Sequence, residues 1–209
     1  MTPQDVRDAS REVVASTRLH EGRVFDLVAD EVRLDPGDGA PVVREYLAHP
    51  GAVAILAMRG EPGAEEVLLI QQYRHPVRAL LWEIPAGLLD VAGEDYEAAA
   101  ARELYEEADL RAARWDVLVD YFTTPGGSSE SLRVYLARDL TDVGDDERHA
   151  REDEERDMPL VWVPLGEAVT AVHAGRIHNP SAVVGILAAA SARAQDWAPL
   201  RAVGSDWLR

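Results

Sequence analysis

Polar and apolar residues alternate over the first part of the chain and then give way to longer apolar runs. Val32 and Leu34 alternate with Glu31 and Arg33, the period of a half-buried strand. Residues 11–34 therefore predict two strands with a turn near His20-Glu21-Gly22. Asp35-Pro36-Gly37-Asp38-Gly39 predicts a further turn, and residues 42–49 a third strand. Pro50-Gly51 breaks the chain, and apolar strands are expected at 52–58 and 67–73. Others are expected at 115–123, 132–140 and 160–163, with a short helix over 166–174. Asn179-Pro180, an N-cap followed by proline at the first helical position, opens a last helix to about residue 194.

Between these strands, residues 95–108 predict a helix that starts at Asp95 and is rich in alanine. At 100° per residue, Glu103 and Glu107 lie one turn apart with Glu106 beside them. Ala100, Ala101, Leu104 and Ala108 occupy a different arc that can face a core. A cluster of glutamates on a helix is by itself most often a solvated surface. Carboxylates crowded on one arc also repel each other, and that repulsion can be put to use in holding a hard divalent cation.

Composition narrows the function classes. A chain of 209 residues makes one domain, or a domain with an appendage. Its net charge of −17 argues against nonspecific nucleic-acid binding, which needs basic patches. No apolar run reaches the length of a membrane span, and MTPQDVRDAS does not read as a secretory leader, so the expected location is the cytoplasm. With no cysteine there is no disulfide framework, thiolate nucleophile or zinc thiolate site. Every basic residue is arginine, which rules out a lysine nucleophile.

Gly87, Glu94, Arg102, Glu103, Leu104, Glu106, Glu107 and Leu110 together resemble the signature of the Nudix hydrolases. That signature is Gly, five residues, Glu, seven residues, Arg-Glu, an aliphatic, any residue, Glu-Glu, any residue, Gly, an aliphatic. This chain departs from it twice: six residues separate Gly87 from Glu94, and Asp109 stands in place of the second glycine. The latter position usually needs a left-handed backbone, which Asp tolerates better than most residues. Pro125 falls sixteen residues after Asp109, and the stretch Thr124-Pro125-Gly126-Gly127 resembles a loop of the ADP-ribose pyrophosphatase subfamily. Gln72-Tyr73-Arg74 and Trp82-Glu83-Ile84-Pro85-Ala86-Gly87 are similar to that subfamily too. The resemblance covers residues 11–194.

The resemblance implies a Nudix α/β/α sandwich with a mixed sheet over residues 46–209, plus a small N-terminal β segment over 1–45. Three strands make a poor independent domain, so that segment is expected to cover the main fold or a second subunit; family members often exchange it across a homodimer. The implied cofactor is Mg²⁺, for which Mn²⁺ can substitute. Its implied ligands are Glu103, Glu107, Glu106 and the carbonyl of Ala86, with Arg102 orienting the carboxylates; Arg102 could equally be a surface ion-pair residue. Arg74 and Arg44 are candidates for holding phosphate or ribose, and either could instead form a surface ion pair. Phe25 is a candidate for stacking on adenine, with core packing as the alternative. Glu83 either binds substrate or structures its loop, and Pro125 and Gly126 shape the pocket or simply form a turn. Residues 141–157 form an acidic loop whose Glu155 or Glu154 is the expected general base, although a solvated loop charge is the commoner role for such residues.

The implied activity is Mg²⁺-dependent hydrolysis of the ADP-ribose pyrophosphate to AMP and ribose 5-phosphate. The alternatives are a hydrolase of other nucleoside-diphosphate sugars, or a sensor that binds ADP-ribose without cleaving it. No nucleic acid or membrane partner is expected.

Overall fold

The computed structural model describes residues 2–35, 39–149 and 158–209. Two compact units divide the chain. One comprises Met1–Gly51, Phe122–Ser131 and Asp206–Arg209, and the other Ala52–Tyr121 and Leu132–Ser205.

In the first unit, β1 (Glu12–His20), β2 (Asp26–Arg33) and β3 (Val42–Ala48) form an antiparallel sheet in chain order. Every residue of β1 is exposed, and β2 is partly buried at positions of both parities. The alternation at Glu31–Leu34 thus does not sort into a covered and an open face, because among the described residues this unit contributes no helix to lie over the sheet. Near the end of β3, Leu47 N–H donates to the Gly127 carbonyl and the Leu47 carbonyl accepts from Ser129 N–H, both at 3.0 Å. His49 N–H donates to Ser129 Oγ at 2.9 Å. The turn that contains Pro125 is therefore fastened to β3 by main-chain bonds.

In the second unit, the strands are β4 (Ala52–Arg59), β5 (Glu66–Arg74), β6 (Ala79–Glu83), β7 (Ala86–Leu88), β8 (Leu110–Phe122), β9 (Ser131–Asp142) and β10 (Leu160–Pro164). They form one mixed sheet in the order β10-β5-β4-β9-β8, with β6 on β5 and β7 on β4. One edge of β4 pairs in parallel with β9. Its other edge is shared antiparallel, Ala52–Ala54 pairing with β7 and Met58–Arg59 with β5. That split opens the sheet where β7 leads toward helix α1 (Tyr96–Ala108).

Strand β4 is apolar at successive positions because both of its faces are covered. Ala52, Ala54, Leu56 and Met58 face a core with Val134, Leu136, Ala168, Ala182, Ile186 and Ala189, from α2 (Leu165–His173) and α3 (Pro180–Arg193) among others. Helix α1 packs on β4 and β7, and the alternation of side chains leaves it the opposite face. Gly185 lets α3 come close, since a Cβ there would sit 3.3 Å from Ile84 Cδ1 and 3.4 Å from Val134 Cγ1. Asn179 caps α3 as expected, its side-chain oxygen accepting from Ala182 N–H at 3.0 Å.

Three boundaries differ from the sequence expectation. Ala101 is exposed; Ala99, Ala100, Leu104 and Ala108 form the buried arc of α1. Strand β8 begins at Leu110 rather than near 115, because Asp109 ends α1 in a left-handed conformation (φ 53°) that turns the chain directly into the strand. Strand β9 continues to Asp142, and Val143 is buried, so the acidic connection starts later than residue 141.

Candidate active site

Helix α1 turns its glutamate arc toward β7, and Arg102 ties that arc together. Its Nε and Nη2 donate to the two carboxylate oxygens of Glu94, each at 3.1 Å. Its Nη1 donates to Glu103 Oε1 at 2.6 Å and to Glu106 Oε2 at 3.2 Å. One planar guanidinium thus spans three carboxylates, a task that matches the paired donors of arginine and not the single point charge of lysine. The hydrogen bonds to Glu94 and the negative charges around it hold Arg102 well above its ordinary pKa, against the opposing effect of burial. It remains cationic at every working pH.

Glu107 and Glu103 are also set by backbone. Glu107 is 5% exposed and its Oε2 accepts from Ala86 N–H at 2.9 Å, which locks the start of β7 to the helix. Gly87 follows, and a Cβ on it would lie 1.9 Å from Glu103 Cδ and 2.4 Å from its Cγ. Only glycine leaves Glu103 its place. The donor set of Glu103, Glu106, Glu107 and the Ala86 carbonyl is all hard oxygen, the chemistry that Mg²⁺ or Mn²⁺ prefers over zinc or copper. Four partly buried carboxylates gathered with one guanidinium also favour a cation electrostatically. No three acidic or histidine side chains among the described residues enclose a common point. On the chemistry of the donor set the residues fit the group.

Residues 48–182 match the NUDIX domain. The chain belongs to the Nudix family. An ADP-ribose pyrophosphatase of Mycobacterium tuberculosis is 46% identical over 197 residues, covering 94% of this chain and 91% of that protein. A Bacillus methanolicus protein named methanol dehydrogenase activator is 32% identical over 175 residues, covering 84% and 90%. A solved ADP compounds hydrolase has the same fold, with a TM-score of 0.72 at 20% identity over 93% of this chain and all of that one.

The remaining residues singled out in this Nudix chain fall into two groups. Arg74, at the end of β5, and Glu83, at the end of β6, pair with each other through two hydrogen bonds of 2.8 and 2.6 Å. In the first unit, Phe25 is 45% exposed and stacks on His49 at 6.4 Å between ring centroids, so it is not a core residue. Arg44 is exposed and donates to the Val43 carbonyl at 3.0 Å. Pro125 and Gly126 are exposed in a turn closed by Gly127 N–H and Ser128 N–H, both donating to the Thr124 carbonyl at 2.9 Å. Glu154 and Glu155 lie outside the described residues. Glu94 received no role from the sequence, yet it is the bidentate partner of Arg102. The available signal was its fixed place in the signature, eight residues before that arginine.

Proposed function

We propose that this Nudix pyrophosphohydrolase cleaves ADP-ribose with water, breaking a phosphorus–oxygen bond of the pyrophosphate to give AMP and ribose 5-phosphate. The observation that carries the reading is the Arg102 hub, which gathers Glu94, Glu103 and Glu106 beside Gly87, in a chain 46% identical to a named ADP-ribose pyrophosphatase.

The divalent cation, Mg²⁺ or Mn²⁺, neutralises phosphoryl oxygens and lowers the pKa of water when bound. Glu103, Glu106, Glu107 and the Ala86 carbonyl would hold it, and Arg102 would orient the carboxylates. Arg74, steadied by Glu83, serves phosphate or ribose; Arg44, Phe25, Pro125 and Gly126 serve the rest of the substrate. Glu155 or Glu154 takes the proton from the attacking water, a step supported by the acidic run at 152–155. The exposed β1 favours a homodimer in which the N-terminal segment contacts a second copy. Cytoplasmic location is consistent with the absence of cysteine, and no helix among the described residues is long and apolar enough to cross a membrane.

The test is a panel of ADP-ribose, ADP-glucose, GDP-mannose and diadenosine polyphosphate with Mg²⁺, products separated by chromatography. A hexose in place of ribose leaves pocket polar groups unpaired, so kcat/KM for ADP-ribose should exceed that for any ADP-hexose by at least about tenfold. Equal rates for ADP-glucose would move the reading to a broader nucleoside-diphosphate-sugar hydrolase. Saturable binding of ADP-ribose with no products at all would make the chain a sensor.

A further inference from the structure

The second unit contains a cavity of about 430 Å³ to which α1 and its glutamates contribute no lining residue. Arg59, Arg114 and Arg138 line it, together with Trp197, Glu65 and Asp139. Its volume lies in the range of ordinary small-ligand sites. Three guanidiniums around one cavity are unusual in a chain of net charge −17.

The carboxylates on hand leave these arginines with donors to spare. Arg138 and Arg114 share the single carboxylate oxygen Asp116 Oδ2, at 2.5 and 3.5 Å. Arg59 pairs with Glu66 at 2.9 Å, and Glu65 is taken up by Arg193 at 3.1 Å. Arg138 Nε is buried and meets no acceptor among the described residues, an arrangement costly in a protein interior unless something supplies an oxygen. The guanidinium of Arg138 also lies 5.1 Å from the centre of the Trp197 ring. Two lining residues, Asp139 (φ 54°) and Trp197 (φ 63°), hold left-handed backbones, and for a residue as bulky as Trp that conformation is a true outlier. Strain of this kind persists where the surroundings enforce it, and binding sites are where it collects.

We propose that this cavity is a second binding site, for a phosphate monoester carrying a flat apolar group. A phosphate monoester presents three terminal oxygens, enough for several guanidiniums at once, whereas one arginine already satisfies both oxygens of a carboxylate. Trp197, with Met58 and Leu140 beside it, supplies the apolar wall for the rest of the ligand. Of the two lining carboxylates, Glu65 is paired with Arg193, so Asp139 is the one that opposes such an anion and sets the sign of the test.

The probe is phenyl phosphate, titrated into the full chain without divalent cation and followed by calorimetry and phosphorus NMR. One saturable site is expected. Arg114→Gln, at a side chain 56% exposed, should weaken binding at least about tenfold through loss of a charge-assisted hydrogen bond, with an unchanged unfolding midpoint. Asp139→Asn keeps a residue that tolerates the left-handed backbone and should tighten binding several-fold. Opposite signs from these two variants would establish the site. No saturable binding, equal affinity in all three proteins, or loss with Arg74→Gln but not with Arg114→Gln would overturn it. Benzoate binding as tightly as phenyl phosphate would overturn the assignment to phosphate.

Discussion

Arg74 donates to both carboxylate oxygens of Glu83, and the two ends of that pair differ sharply in their access to water. The side chain of Arg74 is 44% exposed, whereas that of Glu83 is 2% exposed. The pair should therefore respond unequally to loss of either partner. Arg74→Gln leaves a carboxylate buried without its cation, whereas Glu83→Gln leaves a guanidinium that can still reach water. Arg74→Gln is expected to cost roughly 1–2 kcal/mol more in urea unfolding than Glu83→Gln. Glu83→Gln should instead show itself in binding, raising KM about tenfold as Arg74 loses its fixed orientation while kcat changes less. Equal stabilities in the two variants would contradict the asymmetry.

Glu103→Gln and Glu107→Gln each remove one charge while keeping the shape of the side chain. Turnover with Mg²⁺ should fall by about two orders of magnitude or more in each. The fold should remain, because glutamine at 107 can still accept from Ala86 N–H. Circular dichroism and turnover measured on the same preparations separate the two effects, and near-normal turnover in both would remove these residues from the metal site.

Gly87→Ala tests placement rather than charge. The new methyl would occupy the position of Glu103 Cδ, so the carboxylate must swing away from Arg102 or β7 must shift. Activity should fall at least about tenfold, with Mg²⁺ affinity reduced in parallel. An alanine variant with unchanged metal affinity would show that Glu103 adapts freely.

The alkaline limit of stability should be set in part by Tyr135. It is wholly buried, and burial holds its hydroxyl above the ordinary tyrosine range, although the hydrogen bond and charge of Arg133 pull the other way. Tyr46 is shifted in the same direction, first by burial and then by Asp30. The unfolded chain ionises its tyrosines near pH 10 while the folded chain still holds these protons. Their contribution is thus complete below about pH 10 and is lost as pH rises through the folded value, at up to about 1.4 kcal/mol per pH unit per group. Tyr135→Phe should flatten the fall in urea midpoint between pH 9 and 11. A slope identical to that of the parent protein would assign the alkaline limit elsewhere.

The elements legible in the sequence were those whose pattern repeats along one segment. Helix α1 follows from its alanines and the 3.6-residue spacing of Leu104 and Ala108, and α3 from the Asn179-Pro180 start. The first part of β8 was not legible, because Arg111 and Arg114 join a ladder through backbone groups that carry no side-chain signal. Arg133 was hidden for another reason. It lies inside an apolar run at 1% exposure, and only the pairing of distant segments brings Asp120, at 2.8 Å, and the Ser205 carbonyl, at 3.0 Å, to its guanidinium. In the candidate site, spacing put Glu103, Glu106 and Glu107 on one arc and the Nudix resemblance implied Arg102 beside them, whereas Glu94 as the arginine's partner and the reciprocal hold of Arg74 and Glu83 required the folded chain.

The bonds that run from Leu47 and His49 to Gly127 and Ser129 make the amino-terminal strands more than a handle for assembly. Truncation after residue 45 would strip β3 of β2, its neighbour across Asp26–Ala48 to Val32–Val42, and leave Leu47 on a frayed end. The turn bearing Pro125 would then lose the ordered strand to which Leu47 and His49 fasten it. Edits near the beginning of the chain should therefore be felt eighty residues later, as a looser Thr124–Ser129 turn, even where no helix or glutamate has been touched.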